Sequence, residues 1–578
     1  MKVGRILLMS ALVTSCRGQW DENRSLLRRH RGSSFEKNDY LKDFRDADGG
    51  GSRSPTLSPT PNPSTQSPVA TNSPTSPPSP TLSPATANPS LSPVTANPTL
   101  SPVTANPTLS PVTANPTLSP VTANPTLSPS TDQPSVSPST LQPTSAPSTA
   151  QPSSSPSLSP SSSIEPSFSP SEAPSPRPEV WQQLGQNIYG AAPNDWFGSS
   201  VDLSSNGRTL ACGAIFNDGN GNDAGHVRAY TYDDSSQTWV QRGQDLEGET
   251  AVDYFGVALS MSADGNTLAI GAPNNDGFGG ALNSAGHVRV FQFIDNLSQW
   301  IQIGSDINGE NAFDFSGDSV SLSDDGTLVA VGAPALNQVP GYVKVYQLTA
   351  IGRGQNQWVQ LGQTLLGNEL RFGRAVSLSG DGTTVAIGSG DTNSVGQVLA
   401  FEFDTASSLW VQKGQDLDGE VNGDLFGRSV ALSADGNILV IGSRFTIDDD
   451  TGTGVVKTFQ YDVLGDIWVQ IGQDVDGEAS GDNFGGSVAV TPAGTTFAAG
   501  ARRNDANGEA SGHARVFDFD STGEEWFQVG MDLDGTGEGD LFGHDVALSD
   551  DGKTIAIGAI NNDDEGNNIG LVQVYILQ

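Results

Sequence analysis

The stretch FGRSVALSADGNILVIGS, residues 426–443, decides the fold. It contains two apolar segments, FGRSVALS and NILVIGS, which are joined by Ala-Asp-Gly. That linker predicts a tight hairpin, because glycine adopts a positive φ without a Cβ clash. A third strand signal, GVVKTFQYD, follows at 454–462, and a fourth, WVQIG, at 468–472. The unit therefore predicts four short antiparallel strands.

The unit recurs along the C-terminal part of the chain, and its fourth strand carries a tryptophan. These tryptophans stand 52 to 61 residues apart: Trp181, Trp239, Trp300, Trp358, Trp410, Trp468 and Trp526. Segments such as HVRVFQF are apolar on both faces, as expected for sheets that pack on both sides. The pattern predicts an all-β fold, a seven-bladed β-propeller of four-stranded antiparallel blades. The alternative, a parallel β-helix, has shorter turns and needs end caps that the sequence lacks.

The ends of this region predict how the ring closes. Residues 181–185, WQQLG, form a fourth-strand segment without the three strands that normally precede it. The chain ends at LVQVYILQ, a third-strand segment with no tryptophan strand after it. We therefore expect residues 181–185 to supply the outer strand of the seventh blade and to latch the ring.

Composition divides the chain into four segments: a signal peptide at 1–18, a charged pro-segment or linker at 19–53, a disordered Pro/Ser/Thr-rich stalk at 54–178, and the propeller at 179–578. Lys2 and Arg5 precede a short apolar run, the layout of a secretory signal. Periodic proline with few large apolar side chains predicts disorder in the stalk. No apolar run reaches the roughly 20 residues of a membrane span. We expect a secreted, cell-surface or cell-wall protein without a transmembrane segment.

Negative charge is concentrated in the predicted propeller. It holds 55 of the 65 Asp and Glu residues but only 16 of the 28 Lys and Arg residues. A field of this sign repels phosphate backbones and anionic headgroups and attracts cations, which excludes nucleic acid as a partner. Solubility alone also accounts for an acidic surface.

An acidic pattern recurs between the tryptophan strand and the next first strand. Carboxylates alternate there ahead of a glycine turn, and Ca²⁺ takes about 6 to 8 oxygen ligands. The candidate calcium ligands are Asp416, Asp418, Glu420 and Asp424, then Asp474, Asp476, Glu478 and Asp482, and then Asp532, Asp534 and Asp540. Weaker copies are Asp245, Glu247, Glu249 and Asp253, and Asp306, Asn308, Glu310 and Asp314. Asx turns that shape the connection between blades are the alternative. With antiparallel strands, this connection and the polar loop after the second strand leave on one face, which we expect to be acidic.

The histidines and cysteines do not form a catalytic pattern. His226, His287 and His513 occupy one repeat position at the start of the third strand, which favours packing or a strand-end hydrogen bond. Cys212 stands where other copies carry Ile, Val or Ala, which predicts a buried core residue. His544 has no nucleophile or metal-ligand motif beside it, and the sequence contains no nucleophile elbow, His-Glu zinc motif or phosphate loop. The sequence favours a binding protein over an enzyme.

Phe255-Gly256 followed by Gly271-Ala272-Pro273 resembles the FG-GAP repeat, the blade unit of integrin α-subunit propellers. Similar pairs begin at Phe197, Phe372, Phe426, Phe484 and Phe542, and the third copy varies as Phe315-Ser316-Gly317. The resemblance implies a seven-bladed propeller with an extracellular recognition role. Members that bind calcium do so in the first hairpin through a DxDxDG-type loop, whereas the hairpins of this chain are only SADGN at 262–266 and 433–437, SDDGT at 323–327 or SDDGK at 549–553. We therefore expect Asp264 and Asp435 to be turn residues.

Two functions follow from these expectations. The first is a recognition or adhesion module, a monomeric propeller that binds a glycan or an extracellular protein through its acidic loop face. The second is a structural cell-wall or extracellular-matrix glycoprotein without a discrete ligand. Hydrolysis by the acidic loops is disfavoured, because no single blade departs from the repeat with a catalytic set.

Overall fold

The structure, a computed structural model, describes residues 179–277, 280–335, 340–352, 354–390, 394–444 and 452–578. The predicted signal peptide, pro-segment and stalk lie outside the described residues. The described part folds as seven antiparallel sheets with four main strands each, in sequential order in six of them, while the N-terminal strand supplies the outer strand of the seventh. The predicted all-β seven-bladed propeller is confirmed.

The strands are numbered in chain order. The first two precede the first complete blade: β1 (Trp181–Gln183) and β2 (Ile188–Tyr189). Blade 1 contains β3 (Phe197–Leu203), β4 (Thr209–Ala214), β5 (His226–Asp233), β6 (Thr238–Gln241) and β7 (Leu246–Glu247). Blade 2 contains β8 (Leu259–Met261), β9 (Thr267–Ala272), β10 (His287–Ile294), β11 (Gln299–Gln302) and β12 (Ile307–Asn308). Blade 3 contains β13 (Ser319–Leu322), β14 (Leu328–Ala333), β15 (Tyr342–Gly352) and β16 (Gln355–Leu366). Blade 4 contains β17 (Ala375–Leu378), β18 (Thr384–Gly388), β19 (Gln397–Asp404), β20 (Leu409–Gln412) and β21 (Leu417–Asp418). Blade 5 contains β22 (Phe426–Leu432), β23 (Ile438–Ser443), β24 (Val455–Asp462), β25 (Ile467–Gln470) and β26 (Val475–Asp476). Blade 6 contains β27 (Phe484–Val490), β28 (Thr496–Ala501), β29 (His513–Asp520), β30 (Glu525–Gln528) and β31 (Leu533–Asp534). Blade 7 contains β32 (Phe542–Leu548), β33 (Thr554–Ala559) and β34 (Leu571–Leu577).

The apolar core lies between blades, because each sheet packs against a neighbour on both faces. All six residues of β9 are buried, although its sequence does not alternate. In the short fourth strands only the tryptophan is buried, as in β25, while the longer β16 also buries Leu365. Trp468 belongs to the same apolar cluster as Val398 and Leu417 of the preceding blade, and its indole Nε1 donates to the carbonyl of Lys413 at 2.8 Å. Each tryptophan therefore fastens its blade to the one before.

The N-terminal segment completes blade 7, as the sequence predicts. β1 pairs antiparallel with β34, with Trp181 opposite Leu577 and Gln183 opposite Tyr575. The Trp181 indole donates to the carbonyl of Val529 in blade 6 at 3.0 Å, which repeats the contact that the other tryptophans make. The two ends of the domain thus close the ring by strand pairing.

The hairpin between the first and second strands is an Asx turn in each copy of SADGN. In blade 5, Ser433 Oγ and Asn437 N both donate to Asp435 Oδ1, at 2.6 and 3.1 Å, and Gly436 has a φ of 65°. Asp264 makes the same pair of hydrogen bonds in blade 2. The predicted turn role of both aspartates is confirmed, and their oxygens serve the backbone.

In blade 3, Ser316-Gly317 takes the place of the Phe-Gly pair of the other blades. The bridge between Gly286 and Ser316 is equivalent to that between Gly512 and Phe542, so Ser316 occupies the phenylalanine position. Phe315 occupies the preceding position, and its φ of 54° matches the 55° of Tyr254 before the Phe-Gly pair of blade 2. Backbone conformation, which the letters Phe-Ser-Gly do not reveal, sets this register.

Side chains of the first strands link neighbouring blades around the centre of the ring. In three blades a serine Oγ accepts a hydrogen bond from a backbone N–H of the next blade: Ser260 from Leu322, Ser321 from Leu378 and Ser377 from Leu432. Asp202 holds this position in blade 1, and its Oδ2 accepts from Met261 N at 2.7 Å. Desolvation raises the pKa of Asp202 to about 7, and the nearby Asp545 adds to the increase.

We expect Asp202 to make the protein more stable at pH 5 than at pH 8. Its folded-state pKa lies above that of an unfolded chain, so the folded protein keeps a proton that the unfolded chain has released. The contribution of Asp202 to the free energy of unfolding therefore falls as pH rises from about 4 to about 7, by at most about 4 kcal/mol. Urea unfolding at several pH values measures this slope.

Asp202→Ser is the matched variant, because serine supplies the same acceptor in the next three blades. The slope should become shallower in this variant, while stability at pH 8 should be retained or increased. An unchanged slope between pH 5 and pH 8 would contradict the assignment.

Candidate functional site

Two kinds of connection lie on the same face of the propeller, as predicted. The crossover runs from the fourth strand of one blade to the first strand of the next, and the other connection is the loop after the second strand. Asn504 Nδ2, in such a loop, donates to Asp482 Oδ2 of the crossover at 3.0 Å, and Asn562 makes the same bond to Asp540 at 3.1 Å. We call this side of the domain the crossover face.

The last aspartate of each predicted calcium set closes a turn within the crossover. Its Oδ2 accepts a hydrogen bond from the backbone N–H three residues earlier: Asp424 from Val421, Asp482 from Ala479 and Asp540 from Gly537. For these three residues the structure contains the turn that the sequence analysis weighed as the alternative.

The first aspartate of each set is bound by a glutamine of the tryptophan strand. The donor is the side-chain Nε2 four residues earlier: Gln412 to Asp416, Gln470 to Asp474 and Gln528 to Asp532, at 2.6 to 2.7 Å. One carboxylate oxygen of each aspartate is thereby oriented. The second oxygen faces other groups: Lys457 contacts that of Asp474 at 3.2 Å, and Gln397 donates to that of Asp416 at 3.5 Å.

Acids of successive crossovers converge on the start of the third strand. Between blades 4 and 5, Lys457 Nζ contacts Glu420 Oε1 at 2.5 Å and Asp474 Oδ2 at 3.2 Å. These residues line a cleft of about 150 Å³ together with Asp418, Asp424 and Asp476. Five of the eleven predicted ligands thus surround one cleft in two crossovers, with a lysine ammonium between them.

Between blades 5 and 6, a histidine joins the acids. His513 Nδ1 lies 3.9 Å from Glu478 Oε2 and 3.8 Å from Asp534 Oδ1. Antiparallel pairing of β29 with β31 places His513 directly opposite Asp534. Ligand atoms of Glu478, His513 and Asp532 all lie within 4.8 Å of one another. We call Glu478, His513, Asp532 and Asp534 the blade 6 cluster.

The same arrangement recurs at two other blades of the described chain. His226, Asp245 and Glu247 form one group, and Glu249, His287 and Asp306 form another. In the first group, Asp245 Oδ2 accepts two hydrogen bonds from Arg228, at 2.8 and 3.0 Å. The weaker acidic copies of the sequence analysis therefore take part in histidine clusters.

Burial keeps the three histidines uncharged. Desolvation lowers the pKa of His226, His287 and His513 to about 4, and the nearby arginine of each blade lowers it further. In the blade 6 cluster, desolvation together with Asp532 and Glu478 raises the pKa of Asp534. Each cluster thus presents a neutral imidazole beside carboxylates.

The three histidines are buried, as expected for packed residues at one repeat position, but the sequence does not reveal their acidic neighbours. The acidic pattern groups residues along one crossover, whereas the clusters at His287 and His513 combine acids of two successive crossovers with a histidine at a strand end. Pairing the first residue of the third strand with the second acid of the following motif would have found His513 and Asp534. Cys212 is buried as predicted, and burial raises the pKa of its thiol.

The first hairpins do not fit the calcium site that the resemblance implies. Besides Asp264 and Asp435, the hairpin aspartates of three other blades, Asp325, Asp381 and Asp551, hold their turns with the same oxygen. No second or third aspartate precedes them at the DxDxDG spacing. The acidic groups of this domain lie on the crossover face instead.

Sheet order, ring closure and loop placement define a β-propeller built from sequence repeats, with an acidic face made by its crossovers. Two segments match the model of the family described as FG-GAP repeat: residues 189–232, which cover β3, β4 and most of β5 in blade 1, and residues 533–575, which cover β32, β33 and most of β34 in blade 7. These matches and the seven-bladed architecture together support an FG-GAP propeller. No curated protein matches the chain. The described residues form no helix long and apolar enough to cross a membrane.

Proposed function

We propose that the propeller is an extracellular recognition module, without catalytic activity, that binds a hydroxyl-rich ligand through its crossover face. The observation that supports the proposal most is the cleft between blades 4 and 5, where Asp418, Glu420, Asp474 and Asp476 surround Lys457. Carboxylates accept hydrogen bonds from sugar hydroxyls, and an ammonium donates them to ring and glycosidic oxygens. A glycan is therefore the ligand class that this chemistry favours over an anion.

The size of the cleft supports an extended ligand. At about 150 Å³ it is smaller than the roughly 300 Å³ or more of sites that bury a whole small molecule. It is polar and lies at a junction between blades, and comparable acidic junctions recur around the ring. We infer that several junctions contact one polymeric glycan, each with modest affinity.

Calcium binding on the crossover face is part of this proposal. Asp418 and Asp476 line the cleft together with Asp474, whose second oxygen Lys457 contacts at 3.2 Å, so a calcium ion would share these oxygens with the ammonium. We propose secretion of a monomeric propeller as its setting, with the N-terminal segment of the chain serving as signal peptide and stalk.

A glycan array probed with the full-length secreted protein tests the proposal, with Ca²⁺ and with a chelator. We expect binding that Asp418→Asn combined with Asp476→Asn reduces by about tenfold or more, because two carboxylate acceptors in one cleft become amides. Loss of binding with chelator and its recovery with Ca²⁺ would support the calcium assignment. Binding that the chelator leaves unchanged would overturn that assignment alone.

Asp234→Asn combined with Asp295→Asn is the matched control. Both residues are highly exposed and follow the third strands at the opposite end of the blades, so glycan binding should be unchanged. If the wild-type protein binds no glycan on the array, the recognition proposal fails and a structural role in wall or matrix is favoured. Equal losses in both double variants would indicate a nonspecific charge effect and would also overturn it.

A further inference from the structure

The blade 6 cluster contains two buried polar groups without hydrogen-bond partners. His513 is 0% exposed, and within the described residues neither of its ring nitrogens has a hydrogen-bond partner. Asp534 Oδ1 is buried as well and has no hydrogen-bond partner in the described part of the chain, although it lies 3.8 Å from His513 Nδ1. A buried polar atom without a partner is unfavourable, because it has lost its hydrogen bonds to water and has gained none in exchange. Three carboxylates therefore surround an imidazole ring that is shielded from water and has no hydrogen-bond partner among the described residues.

Blade 5 contains the same acids with a cation between them. Glu420 and Asp474 are the counterparts of Glu478 and Asp532, and Lys457 Nζ binds both of them. In blade 5, Val455 takes the position of His513, so no imidazole is present. In blade 5 the positive charge that these acids attract is therefore the ammonium group of Lys457.

Arg515, the blade 6 counterpart of Lys457, does not take that position. Its NH2 donates to the carbonyl of Asp476 at 2.8 Å, and its guanidinium carbon lies 4.4 Å from the centre of the Phe484 ring. Its nearest approach to the cluster is 3.9 Å, from NH1 to Glu478 Oε1. One guanidinium opposes the three carboxylates of Glu478, Asp532 and Asp534, so the cluster keeps a net negative charge.

We propose that the blade 6 cluster is a binding site for a divalent transition-metal ion of the zinc type, with His513, Glu478 and Asp532 as ligands. Asp534 completes the site from the opposite strand. A neutral imidazole with carboxylates is a donor set that suits zinc, whereas Ca²⁺ prefers oxygen alone. The ion would partner the buried ring nitrogen and balance the excess negative charge.

The cluster needs only a small contraction to hold the ion. Zinc ligands at about 2.0–2.1 Å in a tetrahedron stand roughly 3.3 Å apart. The present separations of 3.8 and 3.9 Å from His513 Nδ1 exceed this by about half an ångström. Glu478 is 44% exposed, so its side chain can rotate inward, while His513 and Asp532 are already held by the sheet and by Gln528.

Two weaker sites of the same kind surround His226 and His287, whose Nε2 atoms are also buried and unpartnered within the described residues. At the first, Arg228 already engages Asp245 with two hydrogen bonds, which reduces the charge available to an ion. At the second, Asn308 replaces the aspartate found opposite His513. We therefore expect the blade 6 cluster to bind the metal ion most tightly of the three.

Equilibrium dialysis of the full-length protein against micromolar Zn²⁺ in millimolar Ca²⁺ tests the proposal. A His226→Gln, His287→Gln background isolates the blade 6 cluster, which should retain one equivalent of zinc. Adding His513→Gln should abolish that equivalent, and Asp532→Asn should weaken it by more than about tenfold, the loss that even outer-shell partners produce. Co²⁺ bound in the background variant should show visible d–d absorption that His513→Gln removes.

His544→Gln, made in the same background, is the matched control. It replaces another buried histidine, which contacts Arg502 at 3.0 Å and lies outside the cluster, so zinc binding should be unchanged. Tryptophan fluorescence verifies that each variant is folded; if His513→Gln is not, Asp532→Asn and the Co²⁺ spectrum decide. No zinc uptake by the background variant would overturn the proposal, as would equal uptake with His513→Gln. Because Ca²⁺ is present throughout, these outcomes are independent of the glycan and calcium proposals.

Discussion

A chain that begins at Asn194 should melt far below one that begins at Glu179, or should fail to fold. The shorter chain lacks β1 and β2 and with them the buried side chains of Trp181, Leu184 and Ile188. Burial of three large apolar side chains contributes roughly 5–9 kcal/mol, which is comparable to the whole stability of a typical domain. The loss also leaves the edge of β34 without a partner strand. Thermal unfolding followed by circular dichroism measures the difference.

Point variants in the full-length chain separate the latch from effects of truncation. Trp181→Ala should destabilise by about 3–5 kcal/mol, because it removes the indole that packs on blade 6 and its hydrogen bond to Val529. Gln182→Ala, on the exposed side of the same strand, should change stability by less than about 0.5 kcal/mol. Equal melting temperatures for the two truncated chains would show that the ring closes without β1.

Gly500→Ala should destabilise the propeller by about 3 kcal/mol or more, because its new Cβ would overlap the carbonyl oxygen of Gly543 in the next blade. Both partners are backbone, so the overlap is not relieved by a side-chain rotation. The same contact recurs at every junction of the ring. A glycine of the second strand meets the glycine that follows the phenylalanine position in the first strand of the next blade. The pairs are Gly213 with Gly256, Gly271 with Gly317, Gly332 with Gly373, Gly388 with Gly427, Gly442 with Gly485, Gly500 with Gly543, and Gly558 with Gly198.

Gly486→Ala is the control in the same blade. Its φ is not left-handed, and an added Cβ would approach only Asn483 O, at 3.2 Å. Ser199 and His544 occupy this position in other blades, so a side chain is accommodated there. Urea unfolding should place Gly486→Ala within about 0.5 kcal/mol of the wild type. A Gly500→Ala variant as stable as Gly486→Ala would refute the close packing of the two glycines.

The hairpins, strand order and ring closure were predictable because their signals are local or repeated. Ser-Ala-Asp-Gly-Asn specifies a turn through bonds within five residues, as Asp435 shows. The register of blade 3 was not predictable in this way. Its serine takes a phenylalanine position because of the backbone conformation of Phe315, and a motif search on Phe-Gly does not detect that conformation.

The candidate site was only half predictable. The sequence marks the acids of each crossover, and the structure places Asp418, Glu420, Asp424, Asp474 and Asp476 around one cleft. It does not reveal that Lys457 lies among them or that His513 lies among their counterparts. Such partners come from a strand end and from two crossovers, which stand a full blade apart in the chain.

By itself, the sequence determined the seven blades, their strand order and the latch, because a repeated pattern of apolar strands and turns has one compact arrangement once its ends are complementary. Only the tertiary structure decided which acids face a lysine and which face an unpartnered histidine. Register between β29 and β31 sets His513 opposite Asp534, and packing of one blade on the next brings in Glu478. Electrostatic partners depend on distances of a few ångströms in space, and sequence spacing does not encode those distances between blades.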